Sequence, residues 1–156
     1  MNKIPMTAPG FEKLQNELKL LVNKERPEII AAIAEARTHG DLSENAEYQY
    51  AKEQQSLNEG KIAELETTIA NAEIIDVSKL SGKEIKFGAT VKIKDEQSGE
   101  QSTYQIVGKY EFDIENKKIS INSPLARSLI GKTKDEIVEV NSPKGISTYK
   151  VISIKY

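Results

Sequence analysis

The segment Gly40-Asp41-Leu42-Ser43-Glu44-Asn45-Ala46-Glu47-Tyr48 decides how this chain of 156 residues folds. It separates two long stretches in which apolar residues recur at helical spacing. Gly40 is typical of the position just past the end of a helix, and a second helical pattern begins a few residues later. Because so short a connection allows only an antiparallel return, we predict a helical hairpin with this segment at its tip.

The first helical stretch is interrupted by a proline. Its apolar positions recur three and four residues apart on both sides of the interruption, which is the spacing of one helix face. Pro27 removes a backbone donor and clashes with the carbonyl four residues earlier, so we predict a kink or short break near Asn23–Pro27. The apolar positions are Leu14, Leu18, Leu21, Ile29, Ile33 and Ala36.

The second helical stretch has a heptad pattern, which predicts a coiled-coil seam. The seam is apolar at both ends and polar in the middle, at Gln55 and Asn58, and Gly60 weakens the helix locally. Because the seam is used inside one hairpin, we expect a monomer. The two rows of seam positions are Tyr48, Gln55, Ile62 and Ile69, and Ala51, Asn58, Leu65 and Ala72.

The C-terminal half changes to the alternating pattern of half-buried strands. Strands are predicted at 89–93, 103–107, 118–122, 137–140 and 147–154, and Ser123 to Gly131 has the signals of a short capped helix. The fold class is therefore α+β, an antiparallel coiled-coil hairpin followed by a small, mostly antiparallel sheet with one short helix.

The predicted domains are a hairpin at 1–76 with its tip at 38–45, a linker at 77–82 and a sheet domain at 83–156. Within the hairpin region, residues 1–6 are expected to be an irregular lead-in. Thr7 is expected to cap the first helix.

The charge and composition exclude several classes of protein. The 22 Lys and Arg residues nearly balance the 24 Asp and Glu residues, unlike in a protein that wraps free duplex nucleic acid. Residues 1–80 hold 9 basic and 14 acidic residues and residues 81–156 hold 13 and 10, which suits two domains with different roles. The absence of cysteine and the single histidine exclude thiolate and multi-histidine metal sites.

No apolar run approaches the length of a membrane span, and the first residues lead into no apolar core of a signal peptide. No membrane partner and a cytoplasmic location are therefore expected.

Asp41 and Glu44 at the tip admit two interpretations. Their spacing is that of a capping box, with Asp at the N-cap and Glu at N3, which needs no further function. Alternatively, two carboxylates at an exposed tip could complete a Mg²⁺ site that a partner holds half-built, because Mg²⁺ takes only one or two carboxylates from a protein. The two interpretations are compatible.

Other residues near the tip have both a functional and an ordinary explanation. Arg37 and Lys52 could contact a nucleic-acid backbone, or they could be solvated surface charges. Tyr48 is better explained by packing in the seam, and His39 has no partner visible in the sequence. In the sheet domain, Ser123 and Pro124 are a candidate docking contact.

Several segments resemble the bacterial transcript-cleavage factors of the Gre family, and more closely its GreA-like members. The resemblance covers essentially the whole chain, and the tip motif is its most specific part. The matching segments are 4–7, 26–30, 40–48, 87–91, 122–127 and 130–132.

The resemblance implies a function for each part of the chain. The hairpin would enter the secondary channel of RNA polymerase, where Asp41 and Glu44 would help to hold a Mg²⁺ shared with the polymerase and the attacking water. Arg37 and Lys52 would contact the 3′ segment of the nascent RNA. The C-terminal domain would be FKBP-like and would dock on the polymerase near the channel mouth.

These expectations describe an activator of another enzyme and not a nuclease with a cofactor of its own. Two other hypotheses remain. One is a channel-binding inhibitor of the same shape, as some relatives in the family are. The other is a stand-alone metal nuclease, which is disfavoured because two carboxylates alone bind and orient a metal poorly.

Overall fold

The computed structural model describes residues 3–41 and 45–156, which form two compact units. The first unit comprises residues 11–72 and is a helical hairpin, and the second comprises residues 3–10 and 73–156 and is built on a five-stranded sheet. The predicted α+β class is therefore confirmed. The domain limits drawn from sequence group residues 3–10 with the hairpin, whereas in the structure they belong to the second unit.

Three α-helices and a π-helical turn account for most of the first unit. Helix α1 spans Ala8–Leu20, a π turn covers Leu21–Glu25, α2 spans Arg26–Arg37 and α3 spans Ala46–Ala70. Thr7 caps α1 as predicted, since its Oγ1 accepts the Gly10 N–H at 3.2 Å.

The predicted irregularity near Asn23–Pro27 is this π turn. The Arg26 N–H donates to the Leu21 carbonyl five residues earlier, which is the π pattern. Pro27 then lies within the first two residues of α2, where its missing N–H costs little. The helix continues on both sides of the turn, so the proline produces no break.

The seam between α2 and α3 largely follows the predicted heptads. Tyr48, Gln55 and Ile69 are only half-buried, and near the end of α3 the buried position is Thr68, whose Oγ1 donates to the Glu64 carbonyl at 2.8 Å. The α-helical period thus departs from the heptad after Leu65. The buried residues of the hairpin unit are Leu14, Leu21, Ile33, Ala36, Ala51, Asn58, Ile62, Leu65 and Thr68.

Asn58 is the buried polar residue at the middle of the seam. Only 7% of its surface is exposed, and its Nδ2 donates to the Leu21 carbonyl at 3.3 Å. The next residue of α3, Glu59, accepts two hydrogen bonds of 2.8 and 2.9 Å from Arg26 at the surface. Hydrogen bonding from Arg26 holds the pKa of the Glu59 carboxyl below its usual value. Because the Arg26–Glu59 pair is exposed, it contributes little to stability, and Asn58 is the polar contact that matters for register.

Asn58→Ala should lower the free energy of unfolding by about 1–2 kcal/mol, because a buried hydrogen bond and its packing are lost. Asn58→Asp should cost more, since a buried carboxylate would face the Leu21 carbonyl. Urea unfolding followed by helical circular dichroism measures both. Ser56→Ala, on the exposed side of α3, is the control and should change stability by less than about 0.5 kcal/mol. Equal stability of the parent and Asn58→Ala would contradict the assignment.

The second unit is organised by a sheet with the strand order β5-β4-β3-β7-β6. Three of its pairings are antiparallel and the pairing of β4 with β5 is parallel, so the sheet is mostly antiparallel as predicted. The strands of this sheet are β3 (Thr90–Asp95), β4 (Gln101–Val107), β5 (Lys118–Ser120), β6 (Ile137–Ser142) and β7 (Gly145–Lys155).

The single short helix of this unit, α4, spans Pro124–Leu129. Ser123 is its N-cap as predicted, with Oγ accepting the Ala126 N–H at 3.2 Å. Ala126 and Leu129 are fully buried and join Val91, Ile106 and Val151 in the core of the sheet. The alternating strands and the capped helix thus bury their apolar faces against each other.

Residues 4–6 are not an irregular lead-in, so the prediction for 1–6 was wrong there, and residues 1–2 lie outside the described residues. Ile4–Met6 forms strand β1, which pairs with β2, Ala72–Ile74, in a separate two-stranded sheet. The Met6 carbonyl also accepts the Ile75 N–H at 2.9 Å, and Met6 is buried. Both strands have only three residues and are far apart in sequence, so neither carries a strand pattern that could be recognised locally.

The predicted linker at 77–82 contains a short 3₁₀ turn, Val77–Lys79. Asp76 caps this turn by accepting the Ser78 N–H at 3.0 Å and the Ser78 hydroxyl at 2.5 Å. The segment is therefore partly ordered by local hydrogen bonds.

Glu111 fastens the N-terminal segment within the second unit. Its carboxylate accepts the backbone N–H groups of Thr7 at 3.1 Å and Gly108 at 2.8 Å, and it also accepts the Thr7 hydroxyl. Gly10 lies so close to this carboxylate that a Cβ there would collide with its Cγ, Cδ and Oε1 atoms. Glycine at position 10 therefore leaves the space that Glu111 needs.

Gly10→Ala should destabilise the protein, although alanine normally favours a helix by about 1 kcal/mol over glycine. The new methyl group would displace Glu111 and break its bonds to Thr7 and Gly108. Gly60→Ala is the matched control, because a Cβ there meets nothing within 4 Å. That variant should gain about 0.5–1 kcal/mol in urea unfolding. A stabilised Gly10→Ala protein would show that Glu111 moves aside without cost.

Candidate functional site at the hairpin tip

Asn45 closes the tip of the hairpin by contacting both helices. As the N-cap of α3, its Oδ1 accepts the Tyr48 N–H at 3.1 Å. Its Nδ2 donates to the Ala36 carbonyl in the last turn of α2 at 2.7 Å. One amide thus satisfies a free donor at the start of one helix and a carbonyl near the end of the other.

The capping-box interpretation of Asp41 and Glu44 is therefore wrong. Helix α3 begins at Ala46, so the N-cap is Asn45 and the N3 position is Tyr48. Asp41 was a candidate cap because its spacing to Glu44 fits the capping motif. Asparagine and aspartate are equally good N-caps, so the sequence offered Asn45 as a candidate but could not rank it above Asp41.

Asp41 lies exposed in the turn that follows α2. The helix ends through Thr38, whose Oγ1 donates to the Glu35 carbonyl at 2.6 Å, and Gly40 has the positive φ of 108°. Gly40 thus allows the left-handed backbone that turns the chain just before Asp41. Glu44, together with Leu42 and Ser43, lies outside the described residues, so only part of the predicted tip at 38–45 is seen.

His39 is a tip residue whose contacts the sequence analysis missed. Its Nε2 lies 3.4 Å from Glu35 Oε1 and its Nδ1 lies 3.4 Å from Glu47 Oε2. The spacing of four between Glu35 and His39 on one helix was a usable signal for the first contact. The second contact needs the hairpin, because Glu47 belongs to α3. The ring therefore connects the two helices beside Asp41.

The two basic candidates lie on different helices of the hairpin. Arg37 is exposed in the last turn of α2, four positions before Asp41. Lys52 is exposed on α3, and its Nζ donates to Gln55 Oε1 at 3.1 Å. Tyr48, between Asn45 and Lys52 in sequence, is half-buried as its seam position predicted.

Ser123 and Pro124 belong to the second unit and not to the tip. The Ser123 hydroxyl serves as the cap of α4, and Pro124 is the first residue of that helix. Both residues thus help to start α4. Their docking on a partner stays a prediction.

The described part of the chain contains neither a metal-binding cluster nor a membrane-spanning helix. No group of three or more His, Asp or Glu side chains there could hold a metal ion. None of the helices in that part is both long and apolar enough to cross a bilayer.

Both halves of the chain match models of known protein families. Residues 4–74 match the family model for the N-terminal region of transcription elongation factors, and residues 80–156 match the model for the C-terminal region of GreA/GreB elongation factors. The chain belongs to the GreA/GreB family of transcription elongation factors.

Relatives named transcription elongation factor GreA align over the full length of this family member. Those of Brucella anthropi, Chelativorans sp. and Caulobacter vibrioides are 60%, 59% and 55% identical, and each alignment covers 100% of this chain and 99% of the relative.

Two solved structures are also similar to the chain. GreA factor homolog 1 of Thermus thermophilus is 25% identical with a TM-score of 0.45, and the alignment covers 99% of this chain and 100% of that one. A GreA/GreB elongation factor from Nitrosomonas europaea is 21% identical with a TM-score of 0.43 and the same coverage.

Substitutions of Asn45 should separate its two bonds. Asn45→Ala removes both and should lower the free energy of unfolding by about 1–2 kcal/mol. Asn45→Asp keeps the cap on Tyr48 but loses the donor to the Ala36 carbonyl, so α3 should begin normally while the two helices separate more readily at the tip. Hydrogen exchange at the first turn of α3 and at the end of α2 distinguishes the two effects. Unchanged exchange at both places in Asn45→Ala would contradict the bridging role.

Proposed function

We propose that this protein stimulates RNA polymerase to cleave backtracked nascent RNA with the polymerase's own Mg²⁺-dependent active centre, which rescues arrested elongation complexes. The family relation supports a role in transcription elongation. The observation that carries the finer proposal is the position of Asp41, exposed immediately beyond α2 at the end of the hairpin.

The proposed role of the hairpin is to carry carboxylates through the polymerase's secondary channel. Asp41 follows a turn at Gly40, and Asn45 joins the two flanking helices, so the helix ends on either side of the tip are held together. Joined helix ends can deliver a side chain to a buried active centre with less loss of conformational freedom on binding.

Carboxylate oxygens fit Mg²⁺, which binds proteins through one or two such groups. Asp41 and Glu44 would hold the ion jointly with the polymerase, and the bound ion would supply an activated water for phosphodiester hydrolysis. The carboxylates would also accept hydrogen bonds from that water and keep it oriented. This division of ligands makes the protein an activator without a cofactor of its own.

The remaining candidate residues receive supporting roles in the proposal. Arg37 and Lys52 are exposed cations on the two helices and would contact phosphates of the RNA 3′ segment. Ser123 and Pro124 at the start of α4 would contact the polymerase surface. The protein would act as a monomer in the cytoplasm.

Asp41→Asn and Glu44→Gln should each abolish most of the cleavage stimulation while leaving polymerase binding intact. The substitutions keep side-chain size and remove the charge that Mg²⁺ needs, and neither residue is the cap of α3. We expect a rate loss on the order of a hundred-fold, the scale of removing one group that stabilises a transition state. The measurement is RNA cleavage in a defined backtracked elongation complex, with binding measured separately by fluorescence anisotropy.

Glu53→Gln, an exposed carboxylate on the same hairpin, is the control and should cleave like the parent. Parent-like cleavage by both tip variants would remove the carboxylates from the mechanism. Cleavage of RNA with Mg²⁺ but no polymerase would instead indicate a nuclease. Slowed elongation without any cleavage would identify the alternative, a channel-binding inhibitor.

A further inference from the structure

A groove of about 400 Å³ runs between α2 and α3 on residues that the proposed mechanism does not use. Its floor is apolar and is formed by Ile29, Ala32 and Ala36 of α2 and by Ala51 of α3. Ala36 and Ala51 are buried in the seam, so the base of the groove belongs to the rigid part of the hairpin. The groove therefore offers a preformed surface for an apolar side chain.

Tyr50 stands at the edge of this groove with 65% of its surface exposed. An aromatic side chain so exposed adds little to the stability of the hairpin. Tyrosine is, however, one of the residues that most often contribute strongly to binding when a partner covers them. The exposure of Tyr50 beside an apolar floor thus indicates a surface that is covered in a complex.

The charges that line the groove all have one sign. Glu25, Glu28, Glu35 and Glu47 line it, and no lysine or arginine is among the lining residues. Within the described part of the chain, no cationic group lies within 4.0 Å of the Glu25 or Glu28 carboxylates. Glu59, by contrast, is paired with Arg26. The groove is therefore complementary to a partner that is basic as well as apolar.

We propose that this groove binds a basic segment of RNA polymerase in which a lysine or arginine flanks an apolar side chain. The apolar side chain would pack on Ile29 and Ala32, and the cation would lie between the glutamates and the Tyr50 ring. RNA is disfavoured as the occupant because its phosphates would meet the carboxylates of Glu25 and Glu28, whereas Glu35 and Glu47 face His39. This inference rests on the proposed function, since it assigns the partner of the same hairpin.

Tyr50→Ala should weaken binding of the full-length protein to purified polymerase by about ten-fold or more. Leu57→Ala is the matched control, since Leu57 is 54% exposed on the same helix but does not line the groove. The control should bind within about two-fold of the parent. Fluorescence anisotropy gives the dissociation constants, and circular dichroism checks that both variants remain folded. Parent-like binding by Tyr50→Ala would overturn the proposal.

Charge reversal tests the electrostatic part of the proposal. Glu25→Lys combined with Glu28→Lys should reduce binding by at least about ten-fold at low salt and by less at high salt. Glu12→Lys combined with Glu17→Lys makes the same charge change on exposed residues of α1 outside the groove and should have a much smaller effect. Equal losses of polymerase binding in the two double variants would show that only the overall charge matters, and this would overturn the proposal.

A photocrosslinker at Gln54, which lines the groove, identifies the occupant. A crosslink to a polymerase peptide that contains lysine or arginine supports the proposal, and a crosslink to RNA or to a second copy of this chain overturns it. A parent protein that binds polymerase through the groove but never stimulates cleavage would refute the proposed function alone. Normal cleavage with unchanged binding in all groove variants would refute this inference alone.

Discussion

The hairpin depends on two asparagine side chains that reach from one helical segment to backbone carbonyls of the other. Asn58 in the middle of α3 donates to the Leu21 carbonyl, and Asn45 at its start donates to the Ala36 carbonyl. Apolar contacts such as those of Ile33, Ile62 and Leu65 bury surface, but they are not directional and would permit one helix to shift along the other. The hydrogen bonds to backbone carbonyls oppose such a shift, because it would leave a buried amide without its partner. The register of the two helices follows from these two contacts.

A half-buried carboxylate, that of Glu111, organises the N-terminal segment of the second unit. Glu111 collects donors from Thr7 and Gly108, and so holds the N-terminal segment against the loop between β4 and β5. Strand β1 then pairs with β2, which directly follows α3 in the chain. Residues 3–10 and the stretch after the hairpin thereby belong to one compact unit. The absence of side chains at Gly10 and Gly108 makes room for this carboxylate.

Charged groups of different sign occupy different places on the surface of the hairpin. Asp41 is exposed at the tip, and Arg37 and Lys52 provide cations on the two helices. Between α2 and α3, by contrast, an apolar floor is lined by glutamates, and the single histidine lies between Glu35 and Glu47. Carboxylates, cations and an acidic groove thus lie in separate places on the hairpin. This separation fits the proposed contacts with RNA and with the polymerase surface.

The sequence by itself determined the fold class, the hairpin, most of the seam and the strands of the sheet, because each depends on a local period or on a local cap such as Thr7 or Ser123. It also located the tip, since Gly40 interrupts the helical pattern. Only the tertiary structure decided which residue caps α3, because Asp41 and Asn45 are both good caps and the Ala36 carbonyl selects Asn45. The same holds for strand β1, the parallel pairing of β4 with β5, the contact of His39 with Glu47 and the acidic groove. Each of these joins residues that are distant in the chain or on different elements. A local period in the sequence does not predict such contacts.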